Sequence, residues 1–206
     1  MTVLLPHAEL ARLAGAAYRG PWSGRVALDC EYDLLPRQEE VVVVMPGTNP
    51  RDVLDVIRDL RAWPRWFVTV GICHSGFGWG GTAVAERVLK AVRGDDRLMT
   101  VIGHSLGGAM ALIVAARLIA AGKRVRVVTF GAPRVAFCLN LALAALLGLA
   151  GDFVEYRRAG DPVPHVPMRP FYRHVTRGVE LGTAVPEPIA NHAIQRYADD
   201  LAALGR

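Results

Sequence analysis

LMTVIGHSLGGAMA, the stretch from Leu98 to Ala111, changes character halfway along its length. Its first half is rich in β-branched residues and predicts a buried strand, and its second half predicts a helix that begins at Leu106. Between them lies GHSLG, a G-x-S-x-G pattern centred on Ser105. A serine on so sharp a turn projects its hydroxyl above the sheet, and the flanking glycines are needed because side chains there would collide with the neighbouring strand and helix. We therefore predict that Ser105 is a nucleophile; the alternative is an ordinary turn in which the serine caps the helix.

The segments around this turn predict strands that alternate with helices. Predicted strands are Arg25–Leu34, Glu40–Met45, Trp66–Ile72, Leu98–Ile102, Arg124–Phe130 and Phe153–Arg158. Predicted helices are Ala8–Tyr18, Gly80–Val92, Leu106–Ala121, Ala136–Leu149 and Ile189–Leu204. The four consecutive valines of Glu40–Met45 are typical of a strand that is buried on both faces. We therefore predict one α/β domain over residues 1–206, with a mostly parallel central sheet and helices on both of its faces.

The apolar runs of this chain are too short to predict a membrane span. Of its 206 residues 52% are apolar, yet no run reaches the roughly 18–20 residues needed to cross a bilayer. The longest, Ala136–Ala150, contains Asn140. The first residues lack a basic region and carry Glu9, so we expect no signal peptide and a cytoplasmic protein; removal of an upstream signal would make it a secreted one.

Cysteine usage and charge argue against several other classes. Cys30, Cys73 and Cys138 lack metal-ligand spacing, and we expect buried thiols rather than disulfides. The net charge of +5 comes mainly from arginines spread along the chain. No basic–aromatic pattern or known module indicates nucleic-acid binding, and no feature indicates an obligate protein partner. The positive charge instead predicts a mild, transient attraction to anionic lipid surfaces.

A serine hydroxyl needs a base that removes its proton and a carboxylate that orients the base. Where a G-x-S-x-G turn carries the nucleophile, the order along the chain is serine, acid, histidine. Asp161 fits the acid because it lies in the loop that follows the predicted strand Phe153–Arg158. Asp152 is a rival, but it precedes that strand and is expected at the opposite edge of the sheet. The other interpretation of Asp161 is a turn residue before proline.

Three histidines follow Ser105 and are candidates for the base. We favour His192, because it follows a loop rich in Pro and Glu and lies at the start of the final predicted helix. His174 is expected on a strand in a structural role, and His165 lies only four residues beyond the predicted acid. Adjacent side chains diverge from so sharp a turn, so His104, the neighbour of Ser105, is excluded as its base. The earlier histidines His7 and His74 are interpreted as structural.

Acyl transfer also needs hydrogen-bond donors for the negative charge that develops on the carbonyl oxygen. The Leu106 N–H is one candidate, because it lies at a helix N-terminus beside the nucleophile. Thr48 is the second, because it follows Gly47 in the turn after the valine strand and offers both an N–H and a hydroxyl. The alternative is a plain strand-ending turn. Neither a metal nor a cofactor is required for this chemistry.

These residues resemble the class 3 lipases, the family of the fungal triacylglycerol lipases, which have the α/β-hydrolase fold. Seven segments in the same order carry the resemblance: Met45–Asn49 (MPGTN), Asp55–Leu60 (DVIRDL), His74–Phe77 (HSGF), Gly103–Ala109 (GHSLGGA), Thr129–Val135 (TFGAPRV), Gly160–Pro167 (GDPVPHVP), and Asn191-His192 followed by Tyr197. By this resemblance Ser105, Asp161 and His192 form a catalytic triad, and Thr48 and Leu106 form the oxyanion hole.

The chain departs from the family pattern in three respects. Pro46 replaces the usual arginine, so the contacts of that side chain are missing. Val56 replaces the usual tryptophan in the segment where family members carry a lid. The C-terminal part is short, so a smaller acyl-binding surface is expected.

The resemblance implies a lipase or carboxylesterase that acts on acylglycerol lipids or small esters through an acyl-enzyme intermediate. A phospholipase, a short-chain or feruloyl-type esterase, and a non-catalytic lipid-binding protein on the same fold are the alternatives. The apolar spacing of Val53–Phe67 predicts either a mobile amphipathic flap or a helix packed on the core. The apolar segment Ala136–Leu149 is expected to line an acyl groove or to fill the core.

Overall fold

The computed structural model describes residues 4–26, 30–47, 63–138 and 140–206. Its strands are β1 (Gly24–Val26), β2 (Cys30–Pro36), β3 (Glu40–Met45), β4 (Pro64–Phe67), β5 (Gly71–His74), β6 (Leu98–His104), β7 (Val125–Phe130), β8 (Ala136–Phe137), β9 (Asp152–Arg158), β10 (Tyr172–Arg173) and β11 (Val179–Leu181). Its α-helices are α1 (His7–Ala16), α2 (Ser75–Ala91), α3 (Leu106–Ala120), α4 (Leu141–Leu147), α5 (Pro188–Asn191) and α6 (Ile194–Ala203). Short 3₁₀ turns follow at Ala17–Arg19 and Val163–His165.

Seven of the described strands form the central sheet, in the order β1-β2-β3-β6-β7-β9-β11. The five strands from β3 to β11 are parallel, and the β1–β2 hairpin continues the sheet in antiparallel pairing. The prediction of a mostly parallel α/β sheet is therefore confirmed. All six residues of β3 and of β7 are buried, as expected for strands covered on both faces.

Helices cover both faces of this sheet and build two apolar clusters. On one face, α2, α3 and α4 enclose a cluster that includes Phe77, Ile113 and Leu143. On the other face, α1 and α6 pack against each other over a cluster that includes Leu10 and Tyr197. None of the described helices is long and apolar enough to cross a membrane.

Two predicted strands are each a hairpin. Arg25–Leu34 was predicted as one strand, but β1 and β2 pair antiparallel within it. Trp66–Ile72 likewise contains the turn between β4 and β5, where Thr69 has a φ of 84° and Gly71 a φ of 74°. The β4–β5 hairpin belongs to a second sheet of described strands, in the order β10-β8-β5-β4. Apolar content alone does not distinguish a long strand from a hairpin whose turn lacks an Asn-Gly or Asp-Gly signal.

Three predicted helices also have different bounds. Ala136–Leu149 begins as strand β8, and α4 starts only after Asn140, whose side chain accepts the Leu143 N–H and donates to carbonyls of the β4–β5 hairpin. Helix α2 begins five residues before the predicted Gly80, because its glycine-rich first turns pack closely against neighbouring elements. The predicted helix Ile189–Leu204 is broken into α5 and α6 at His192-Ala193, where Ala193 has extended backbone.

The cysteines differ in exposure. All three are free, but the prediction that they are buried is wrong for Cys138, which is exposed, and holds fully only for Cys73. Cys138 has a φ of 49° and its N–H donates to the Phe171 carbonyl, so the backbone of the loop places its side chain outside the core.

Burial of His74 makes the stability of this fold sensitive to acid. Its ring stacks on Phe77 at 4.0 Å, is 6% exposed, and has no hydrogen-bond partner among the described residues. Desolvation lowers its pKa to about 4, below the value of 6.5 expected in the unfolded chain. Between these values the unfolded chain binds the extra proton, so the free energy of unfolding decreases as the pH falls from about 6.5 to about 4.

We predict that His74→Phe, which keeps the stacked ring and removes the titration, makes this loss less steep. The slope of the unfolding free energy between pH 6.5 and 4.5 should fall by up to roughly 1.4 kcal/mol per pH unit, the share of one proton. Urea denaturation of both proteins across this range measures it. Equal slopes would contradict the assignment.

Candidate active site

The turn at Ser105 has the strained geometry that the sequence pattern predicts. Ser105 has φ 56° and ψ −129°, a region that residues with a side chain rarely adopt. Its N–H donates to the Phe130 carbonyl at 3.0 Å, which holds the turn against β7. Its side chain makes no capping hydrogen bond to α3, so the interpretation of Ser105 as an ordinary helix cap is wrong. Strain of this kind at a turn between a strand and a helix is typical of a functional position.

Close backbone approach explains both glycines of the pattern. A Cβ at Gly103 would overlap the Gly107 carbonyl, and a Cβ at Gly107 would overlap the Met45 carbonyl oxygen. The end of β3 is therefore packed directly against the start of α3. A Cβ at Gly47 would lie 3.0 Å from the Ser105 Cβ, which places the end of the valine strand beside the predicted nucleophile.

Asp161 and His192 meet at the carboxyl edge of the sheet. Asp161 follows β9, and His192 lies at the break between α5 and α6. His192 Nδ1 is 2.8 Å and 3.0 Å from the two carboxylate oxygens of Asp161. Both side chains are buried, at 3% and 1% exposure of the residue. The structure thus brings together the predicted acid and the predicted base, 31 residues apart in the chain.

The Asp161 carboxylate is surrounded by donors. It accepts hydrogen bonds from the Tyr197 hydroxyl at 2.6 Å and from the Val163 N–H at 2.9 Å, in addition to His192. Burial and the charge of Asp161 raise the pKa of Tyr197 well above its ordinary value, so its hydroxyl stays protonated and donates. The Nδ1–H of His192 donates to this carboxylate, so Nε2 is the ring nitrogen left without a partner among the described residues.

His192 Nε2 is the atom that a general base would use. It is buried and has no hydrogen-bond partner among the described residues, so no hydrogen bond joins it to the Ser105 hydroxyl in this structure. Such bonds are often long in the free enzyme and shorten when substrate binds. The site therefore offers an oriented ring nitrogen without a hydrogen-bond partner, on a ring that stacks against the neighbour of Ser105.

His104 connects the turn to the predicted base. Its ring stacks on the His192 ring at a centroid distance of 4.5 Å, and its Nε2 donates to the His192 carbonyl at 2.9 Å. Its Nδ1 then accepts from the Tyr18 hydroxyl at 2.6 Å. Burial, followed by the neighbouring His192, lowers the pKa of His104 well below 6.5. His104 is therefore a neutral residue with a structural role, and it anchors the backbone of His192.

The rival residues lie elsewhere or serve other contacts. Asp152 begins β9 at the opposite edge of the sheet, where it pairs with Arg126 at 3.0 Å and with His7 at 3.2 Å. His174 follows strand β10 and is held by Glu155 at 3.2 Å and by the Pro164 carbonyl at 2.7 Å. Neither residue reaches the Asp161–His192 pair through these contacts.

Part of the predicted site lies outside the described residues. Thr48 and residues 53–62 of the predicted flap Val53–Phe67 belong to this part. The described end of that segment, Pro64–Phe67, is strand β4 and not a helix. Leu106 begins α3, and its N–H is one of the first-turn amides that have no partner within a helix.

Sequence reasoning missed the residues that support the triad candidates. Nothing near Tyr18 signals its hydrogen bond to His104, because 86 residues separate the two. A cavity of about 300 Å³ also opens beside the predicted base, lined by Tyr18, His104 and His192 together with Ile189 and Ile194. Within the described ranges, no group of three or more His, Cys, Asp or Glu side chains is arranged to hold a metal.

Comparison with known proteins identifies the family. A sequence model of the lipase (class 3) family matches residues 42–171, more than half of the chain, so the protein belongs to the class 3 lipase family. Solved lipase structures superimpose on it and confirm the α/β-hydrolase fold.

Three fungal lipases illustrate the extent of the structural match. The triacylglyceride lipase of Rhizomucor miehei matches with a TM-score of 0.64 and 22% identity, over 78% of this chain and 64% of its own. The lipase of Rhizopus microsporus var. chinensis gives a TM-score of 0.63 and 25% identity, over 77% and 58%. Lip2 lipase of Yarrowia lipolytica gives 0.64 and 23%, over 84% and 72%. The chain thus spans less than two thirds of the length of the Rhizomucor and Rhizopus enzymes.

We predict that Gly107→Ala destabilises the protein by about 3 kcal/mol or more, because the added methyl group meets backbone oxygens that cannot move aside. Gly151→Ala is the matched control, since its nearest atom would lie at 3.8 Å. Urea denaturation should show a change below about 1 kcal/mol for the control. Similar losses in both variants would contradict the close approach of β3 and α3.

Proposed function

We propose that this protein is a serine hydrolase that cleaves carboxylic esters of lipids. The observation that carries the proposal is the buried Asp161–His192 hydrogen bond, which leaves Nε2 of the imidazole free beside the strained turn of Ser105. Membership of the class 3 lipase family supports the same activity. A triacylglycerol lipase with the same fold, at a TM-score of 0.63 and 24% identity, is described as having a serine-protease triad as its catalytic centre.

The proposed reaction is acyl transfer in two steps. His192 Nε2 takes the proton of Ser105, and the serine oxygen attacks the ester carbonyl. The Leu106 amide and the Thr48 amide or hydroxyl stabilise the oxyanion, and Asp161 keeps the imidazole oriented and stabilises its positive charge. His192 then gives the proton to the leaving alcohol, and a water molecule releases the acid by the same steps in reverse. The acyl group is covalently bound to Ser105 between the two steps.

Acylglycerol lipids are the proposed substrate class, because the fungal relatives of the same fold are triacylglycerol lipases. Broad exposure of large apolar side chains around the second sheet fits contact with lipid. Trp63 is 78% exposed, and Trp66 and Ile72, which face each other across β4 and β5, are 64% and 41% exposed. Water-soluble short esters and phospholipids are the alternative substrates, and a lipid-binding protein without activity is the alternative function.

We predict that a fluorophosphonate probe labels the wild-type protein and that Ser105→Ala abolishes both labelling and turnover. The rate on nitrophenyl esters should fall by about 10⁴-fold or more, because the nucleophile is lost while binding and the oxyanion donors remain. Ser75→Ala is the matched control, since Ser75 also stands where a strand ends and a helix begins.

Labelling of Ser105→Ala, or loss of labelling in Ser75→Ala, would contradict the assignment of the nucleophile. Wild-type protein that is folded but unlabelled, and that leaves every ester intact, would support the lipid-binding alternative. Rates on nitrophenyl esters of increasing chain length, measured below and above micelle formation, separate a lipase from a short-chain esterase. A lipase gains rate when the substrate aggregates.

We predict that Tyr197→Phe lowers kcat about tenfold and leaves KM unchanged. The substitution removes a hydrogen bond of 2.6 Å to the Asp161 carboxylate, a contact to a charged group that is worth roughly 1.5–3 kcal/mol. Tyr197 acts through Asp161 and does not touch the reacting atoms, so substrate affinity should not change. Asp161→Asn should cost on the order of 10³–10⁴-fold in kcat. Equal kcat in Tyr197→Phe and wild type would show that this hydroxyl does not position the acid.

A further inference from the structure

A cleft of about 500 Å³ lies outside the candidate active site and is strongly cationic. Its lining consists of Arg157, Arg169, Pro170, Arg173, His174, Thr176 and Arg177. We call it the arginine cleft. It begins near the carboxyl end of β9, the strand that leads to Asp161.

One buried carboxylate faces this cluster, and its oxygens are already engaged. Glu155 is 1% exposed and contacts Arg157 at 3.7 Å and His174 at 3.2 Å, and it accepts the Thr176 N–H. Arg157 also donates to the Thr176 and Arg177 carbonyls. Glu180 is level with Arg157 on β11 but does not line the cleft. Arg157 therefore lines the cleft and, together with the buried Glu155, holds the loop at Thr176 and Arg177.

The outer arginines have no counter-charge within the part of the chain that the structure describes. Arg169, Arg173 and Arg177 are exposed, and no carboxylate among the described residues forms an ion pair with any of them. Burial, and then the positive charges of Arg169 and Arg157, lower the pKa of the buried Arg134. Three guanidinium groups around one cleft suit an anion with several oxygens, above all a phosphate, which arginine binds in a bidentate manner.

Exposed apolar side chains flank the same arginines. Met168 is 76% exposed and Phe171 is 61% exposed; Met168 directly precedes Arg169, and Phe171 lies two residues after it. The base of this segment is rigid: the Arg134 N–H donates to the Val166 carbonyl at 2.7 Å and its side chain donates to the Pro167 carbonyl at 2.9 Å. The Phe171 carbonyl accepts the Cys138 N–H at 2.6 Å. The apolar tip is thus held outward by its own backbone contacts.

We infer that the arginine cleft is a docking site for the phosphate of an anionic phospholipid headgroup at a membrane or lipid-droplet surface. Arg169, Arg173 and Arg177 bind the headgroup phosphate, while Met168 and Phe171 enter the boundary between headgroups and acyl chains. Clustered arginines with exposed apolar side chains close to them in the chain are the combination that favours a lipid surface over a soluble anion. The inference concerns binding alone and holds whether or not Ser105 cleaves esters.

Sedimentation with vesicles of diether phospholipids tests this site, because diether lipids contain no ester and binding is separated from hydrolysis. Wild-type protein should bind vesicles of diether phosphatidylcholine mixed with diether phosphatidylglycerol, and bind much more weakly to phosphatidylcholine alone. The charge-reversal pair Arg169→Glu/Arg173→Glu should weaken binding to the mixed vesicles about tenfold or more. Turnover of a soluble nitrophenyl ester should stay at the wild-type level in this pair.

Arg87→Glu/Arg93→Glu is the matched control, since it makes the same change in net charge at two exposed arginines of the α2 region. This control should lose less than about threefold in binding. Met168→Ser/Phe171→Ser should weaken the vesicle binding that remains at high salt. Leu204→Ser, which replaces an exposed apolar side chain elsewhere on the protein, should not weaken it.

Three results would overturn the inference. The first is equal loss of binding in both charge-reversal pairs, which would mean attraction by net charge alone. The second is equal binding of wild-type protein to neutral and anionic vesicles. The third is titration with inorganic phosphate that depends on Arg169 and Arg173 while vesicle binding does not, which would make the cleft a site for a free anion.

Discussion

The contact of backbone with backbone around Ser105 is the constraint on which the rest of the site depends. The end of β3, the end of β6 and the start of α3 approach so closely that Gly103 and Gly107 leave no room for a Cβ. This packing holds Ser105 at a positive φ, and the strain is offset by the buried sheet on both sides of the turn. The Ser105 hydroxyl therefore lies at the carboxyl edge of the sheet, where the loops that follow the other parallel strands begin.

A second layer of contacts orients Asp161 and His192, the predicted acid and base. Asp161 accepts from Tyr197 and Val163 as well as from His192, so its carboxylate has little freedom to rotate. His104 stays neutral because it is buried, and its hydrogen bond to the His192 carbonyl connects that backbone to the turn at Ser105. The chain then runs from Asp161 through the segment braced by Arg134 to the arginine cleft. In our proposals, chemistry and lipid contact are therefore joined by one continuous and well-braced stretch of backbone.

Some elements of this fold can be predicted from their own residues, and others depend on contacts with distant parts of the chain. Strand β3 and helix α3 were predicted closely, because a short run of β-branched valines favours a buried strand and a longer run rich in Ala and Leu favours a helix. The segments Trp66–Ile72 and Ala136–Leu149 were assigned wrongly, because their turns depend on Thr69 at positive φ and on Asn140 bonded to a distant hairpin. Thr48, proposed as an oxyanion donor, lies outside the described residues, and Tyr18 as a support for His104 had no local signal.

The sequence by itself determined the α/β class and the turn at Ser105, and it favoured Asp161 and His192 over their rivals. These follow from local pattern and chain order, because glycine spacing and the alternation of strand and helix are written in neighbouring residues. Only the tertiary structure decided how His192 is held, which residues surround the carboxylate, and that four arginines from two segments enclose one cleft. Those facts depend on side chains that are far apart in the chain and meet only when the sheet closes its loops over one edge.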